Sequence, residues 1–226
     1  MSDPDVVPTS AREVPREALI DLLGALAYGE LCAFDRLVDD ARMAPSLVGR
    51  AEMSAMAAIE FGHYQQLAER LTGLGVAPDV AMEPFVAALE TFHSLTVPST
   101  WHECVVKAYV GDGLANDFYR EIAAFVDEST RDLIVHVLTD QTRAEFAVRE
   151  VRAAIDAQPA MAGRLALWGR RLVGEAISQA QHVLADRDSL MELLVVGTGD
   201  LAGIAALLQR ITERHEVRMG ELGLRG

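Results

Sequence analysis

The chain has 226 residues, half of them hydrophobic, and a formal charge of −14. That is enough material for one large domain with a filled core, and it argues against a disordered chain. A surface this acidic disfavours bulk binding of nucleic acid or anionic membrane, because phosphate affinity comes from Lys and Arg releasing counterions; Arg164, Arg170 and Arg171 still allow a local basic patch.

Residues 1–14 are acidic and contain proline with no apolar stretch, so they read as a flexible tail rather than a signal peptide. From residue 15 onward helical periodicity dominates, and no run alternates apolar and polar residues long enough to argue for a strand. A first helix is expected from Pro15 to about Arg42, and a second opens at Pro45 and Ser46 and ends near Gly73 and Gly75, giving an antiparallel hairpin. Between Pro78 and Pro98 a short helical pattern is long enough to cross the end of a bundle. Thr100 with Glu103 matches a capping box and opens a third long helix to about Val126. Asp127 or Ser129 opens a fourth, running to about Ala157 before Pro159.

After Pro159 come a fifth helix (164–185), a short piece (190–196) and a last amphipathic helix (200–222). The apolar stretch from Leu193 to Leu208 is broken by Gly197, Gly199 and Asp200, and it falls short of the roughly 20 residues a membrane span needs. Cys32 and Cys104 both lie on helical apolar stripes and read as unpaired buried thiols, which points to a reducing cytoplasm. The expected architecture is all-α: one domain over 15–226, with a bundle core at 15–157 and C-terminal helices at 160–222.

Acids interrupt the apolar stripes at matching places. Glu30 falls among Leu23, Leu26, Ala27, Phe34 and Leu37, and Glu60 with His63 falls among Met53, Met56, Leu67 and Leu71. Asp112 falls among Val105, Ala108, Tyr109 and Tyr119, and Asp140 among Leu133, Val137, Ala144, Ala147 and Val151. Tyr28-Gly29-Glu30 and Val110-Gly111-Asp112 correspond in position, so the two hairpins read as a weak internal duplication. Acids aimed at one core need a positive companion, since each unpaired buried charge costs several kcal/mol.

Glu60 and His63 stand three residues apart on one helix face and can reach a single ion. Taken alone the spacing more often marks a surface pair than a ligand pair; its place on the apolar stripe, beside Glu30 on the adjoining helix, raises the ligand reading. A metal-binding bundle takes one carboxylate from each of two helices and a Glu-x-x-His pair from each of the other two. Glu30, Glu60, His63, Asp112 and Asp140 follow that template in order. At its last position stands Arg143, which stays protonated and cannot coordinate a metal. His136, one turn before Asp140, is a substitute ligand or a surface histidine. Glu175, on the stripe Leu165, Trp168, Leu172 and Ala176, is a further ligand or the partner of Arg143 or Arg171. His93, His102, His182 and His215 have no acid at ligand spacing and read as surface or capping residues. Tyr28, Tyr64, Tyr109 and Trp168 read as core.

The stretches Lys107–Gly113, Ala144–Val148 and Leu167–Ala176, with Glu213-Arg214-His215, are similar to ferritin-like proteins grouped with the tRNA hydroxylase MiaE. The resemblance covers most of the chain and implies a ferritin-like four-helix bundle holding two irons, with oxygen activation as its chemistry. Arg143 departs from the family's histidine, which leaves three states: two metal ions, one ion held mainly by Glu30, Glu60 and His63, or a metal-free salt-bridge network; the second is preferred. The expectation is an iron-dependent (or manganese-dependent) hydroxylase or oxidoreductase acting on a small organic or modified-nucleoside substrate. It would need an electron donor, and a homodimer is compatible with it. The alternative is a metal-free bundle with a structural or partner-binding role.

Overall fold

The protein is described by a computed structural model covering residues 14–137 and 142–224, with side chains for 14–136 and 144–224. Among the described residues every regular element is helical. Helix α1 (Arg16–Asp40) starts directly after Pro15 and pairs with α2 (Leu47–Gly73) in the expected hairpin. Ser46 caps α2 by accepting a hydrogen bond from the Gly49 amide at 3.0 Å, and Gly75, at φ 77°, turns the chain out of it. That left-handed conformation carries no Cβ penalty in glycine.

Helices α3 (Pro78–Met82) and α4 (Val86–Leu95) form the crossover. At Gly24 of α1 a Cβ would lie 2.1 Å from the Ala81 carbonyl oxygen, so only glycine lets α3 sit this close. Thr100 caps α5 (Trp101–Ala123), while the Glu103 carboxylate accepts from the Ser99 amide at 2.6 Å, one residue before the usual reciprocal partner. Asp127 caps α6 (Glu128–Val137), and α7 (Thr142–Ala157) follows. The expected fourth helix is thus described as two pieces, and residues 138–141 lie outside the described residues.

The C-terminal additions are α8 (Met161–Asp186), α9 (Asp188–Thr198) and α10 (Leu201–Glu221), the last two meeting at 88°. Helix α5 is central, packing against α1, α6, α7, α8 and α10. Among the described residues no single helix is long and apolar enough to cross a membrane. Cys32 and Cys104 are buried free thiols.

Three buried acids that the apolar pattern did not single out each meet an arginine. Asp21 accepts from Arg187 and Ser189, which ties α1 to the break between α8 and α9. Glu103 accepts from Arg164 at 2.9 Å, and Asp117 accepts from Arg218. Gly113 leaves open the space that the Arg218 guanidinium fills, since a Cβ there would lie 2.0 Å from its Nε.

The apolar interior falls into two clusters. One holds Leu19 to Ala27 of α1, Leu67 and Leu71 of α2, and Tyr119 and Ile122 of α5; the other holds Leu37, then Met53, Met56 and Ala57, then Trp101 to Val110. Each of the three helices therefore passes from one cluster to the other across a gap. Glu30, Glu60 and Asp112 occupy those gaps.

Candidate metal centre

Glu30 projects from α1, and Glu60 with His63 from α2, because the hairpin sets the two mid-points level and the i, i+3 spacing puts carboxylate and imidazole on one face. His63 Nδ1 lies 3.5 Å from Glu30 Oε2 and 3.4 Å from Glu60 Oε2. One ligand atom from each of the three lies within 4.8 Å of the others. The side chains are 8%, 7% and 12% exposed for Glu30, Glu60 and His63.

Burial, reinforced by the Glu60 carboxylate, pushes the Glu30 pKa up to about 8, against the opposing pull of His63. Burial favours the neutral imidazole of His63, but its hydrogen bonds to Glu30 and Glu60 outweigh this and raise its pKa to about 9. Without a metal the cluster thus retains protons at neutral pH, the condition a divalent ion relieves by displacing them.

Asp112 enters from α5. Its carboxylate accepts from Asn116 Nδ2 at 3.2 Å, and it lines one cavity of about 200 Å³ together with Glu30 and Glu60. Tyr119, two turns beyond Asp112, lines the same cavity; its phenol is held far above its ordinary pKa first by burial and then by the charges of Glu30, Glu60 and Asp112. Three carboxylates and one phenol therefore share a single cavity. A second cavity, of about 310 Å³, is walled almost entirely by apolar side chains, among them Leu22, Leu26, Phe118, Ile122, Val183 and Leu207. Gly29, Leu89, Phe92, Gly111, Ala115 and Tyr119 line both spaces, so the acid layer opens directly onto the apolar one. A Cβ at Gly111 would meet nothing within 4 Å, so its missing side chain widens this junction.

A family model for the ferritin-like domain of actinomycetes matches residues 14–197. The chain belongs to that family. This ferritin-like domain also shares its fold with a Synechococcus protein described as having aldehyde deformylating oxidase activity. The TM-score is 0.63 at 20% identity, over 90% of this chain and 98% of the other. Among curated proteins none matches.

The ferritin-like domain brings Glu30, Glu60 and His63 to one place, while Asp112 stands outside that group and shares only the cavity lined by the two glutamates. Asp140 lies outside the described residues, as does the side chain of Arg143, whose backbone belongs to α7. His136 is exposed on α6. Glu175 is half-buried on α8 and lines neither cavity, although its neighbours Ala176 and Ile177 wall the apolar one.

Two histidines expected at the surface are not there. His215 is 3% exposed beneath the Asp117–Arg218 layer, and His93 lines the acid-bearing cavity with its Nδ1 buried and unpartnered. Burial, aided by nearby Lys107 and Arg36, pulls the His93 pKa down to about 3. His93 comes from the crossover, whose short helix has no fixed register against the bundle in sequence. Arg36, Lys107 and Tyr119 are further cavity residues that the acid pattern passed over.

Proposed function

We propose that this ferritin-like domain is an iron-dependent oxidoreductase that activates oxygen against an organic substrate held beside the Glu30–Glu60–His63 cluster, with Asp112 completing the ligand set. The observation that carries the reading is the buried meeting of two carboxylates and an imidazole in the polar layer of a bundle, the two carboxylates lining a cavity that opens onto an apolar one. Imidazole and carboxylate donors together suit iron or manganese, and the buried proton held on Glu30 marks a place where positive charge is wanted.

Iron bound there would supply the one-electron chemistry that oxygen reduction requires. The chain's own residues supply the rest. Glu30, Glu60 and His63 would hold the ion from α1 and α2, the Tyr119 phenol remains protonated among the acids and can donate to a ligand, and the apolar wall excludes water from the reacting bond. The aldehyde chemistry in the fold neighbour's description suits the same apolar space. The resemblance to MiaE offers a modified nucleoside instead; the net charge of −14 weighs against a tRNA-sized anion.

Anaerobic loading with ferrous iron should give at least one equivalent per chain in the wild type and much less in Glu60→Ala. The second reading, a metal-free bundle, is favoured by Arg143 at the place of a histidine; it expects no iron uptake and equal metal content in the two proteins.

A further inference from the structure

The acid-bearing cavity has a second, cationic pole. Arg36 of α1 and Lys107 of α5 line it with the imidazole of His93 from α4, which burial keeps neutral. Arg36 lies six residues after Glu30 and Lys107 five before Asp112. The two helices pass the cavity in opposite directions: Leu22 and Leu26 of α1 face Phe118 and Ile122 of α5 in the apolar space on the far side of the acids. At 1.5 Å per residue the cationic pole stands about 8 Å from the acid layer. Along the bundle the order is therefore cationic pole, acid cluster, apolar cavity.

The pole has unused donors. Lys107 is 7% exposed and gives one of its three N–H bonds to the Thr96 carbonyl at 2.7 Å, with Nζ 5.5 Å from the Phe92 ring centre. Arg36 binds Glu90 through Nη2 at 3.0 Å, while its Nε and the Nδ1 of His93 are buried without partners. The acids facing this pole are Asp40 in the cavity wall and Glu90, which Arg36 and Tyr28 already engage. Burial draws the Lys107 pKa down to about 8, with Asp40 pulling the other way. A buried cation with free donors is most stable opposite an anion.

We propose that Arg36, His93 and Lys107 form the head-group pocket for a carboxylate-bearing substrate whose apolar remainder passes the acid cluster and ends in the apolar cavity. The apolar cavity has no charge to meet such a head, and the unpaired donors of Arg36, His93 and Lys107 are the groups in the acid-bearing cavity placed to take it. The bond presented to Glu30 and Glu60 is then an interior one, several bonds from the carboxylate, and not the head itself. This assignment rests on the reading of that cluster as the reactive centre.

Isothermal titration of the chelator-treated, metal-free chain at pH 7 with decanoate, 1-decanol and acetate tests it. Decanoate should bind at least tenfold more tightly than decanol, and acetate should give no measurable binding. Lys107→Met should weaken decanoate tenfold or more and leave decanol within twofold. Equal affinity for decanoate and decanol, equal loss of both in the variant, acetate binding as tightly as decanoate, or no binding of any probe would overturn the proposal. If circular dichroism shows Lys107→Met unfolded, Arg36→Gln carries the same expectations. No metal enters the titration, so its failure leaves the iron reading intact. Failed ferrous loading with the decanoate preference retained would remove the reactive centre and keep the head pocket.

Discussion

Replacing Glu30 by glutamine keeps the side chain's shape while removing a buried acid, and the consequence can be worked from its surroundings. Burial, then the neighbouring Glu60, holds the Glu30 pKa near 8 in the folded chain against an ordinary 4.5. The folded state keeps a proton that the unfolded state releases, so stability falls as pH rises from 4.5 to about 8. At pH 7 holding that proton costs about 3 kcal/mol, at 1.36 kcal/mol per pH unit. Glutamine does not titrate and removes this cost, while the weakened bond to His63 gives back about 1 kcal/mol. Metal-free Glu30→Gln should therefore be about 2 kcal/mol more stable than wild type at pH 7, roughly 4–8 °C in Tm for a chain of this size. Thermal melts of chelator-treated protein at pH 5, 7 and 8 read this directly: the gain should vanish at pH 5, and ferrous iron under nitrogen should raise the wild-type Tm alone. A variant that melts below wild type at pH 7, or by the same margin at every pH, would refute the reasoning.

Other perturbations have equally definite signs. Gly24→Ala forces a methyl group against the Ala81 carbonyl and should cost about 3 kcal/mol, read as a lower urea midpoint with an unchanged slope. Arg187→Met strands Asp21, which is 3% exposed, and should cost about 3 kcal/mol; Asp21→Asn in the same chain should recover part of the loss in a double-mutant cycle. Gly111→Leu places a side chain where the two cavities meet, so 1-decanol affinity should fall more than tenfold while ferrous iron still binds.

Glu30, Glu60 and His63 were legible in the sequence because helical period alone says which residues share a face, and a two-helix hairpin leaves little freedom in how those faces meet. Asp112 follows from the same argument on α5, and the cavity it lines with Glu30 and Glu60 agrees with it. The partners of Asp21, Glu103 and Asp117 were not legible, since Arg187, Arg164 and Arg218 stand 166, 61 and 101 residues away along the chain. Only the docking of α8, α9 and α10 onto the first helices brings them together. The inward placement of His93 is hidden for a related reason: no periodic signal states which side of the crossover helix turns inward. Lys107 carries no such signal either, because burial of a lysine in a cavity wall depends on three helices at once.

The division of the apolar interior at the level of Glu30, Glu60 and Asp112 has a dynamic corollary. Among the described residues the two clusters are joined through few side chains, Leu114 packing against both and Phe61 linking Phe34 of one to Tyr64 of the other. Either end can loosen while the other keeps its packing, and native-state amide exchange should resolve two protection classes, one on each side of the acid layer. An ion seated there would fasten the halves together and merge the two classes into one.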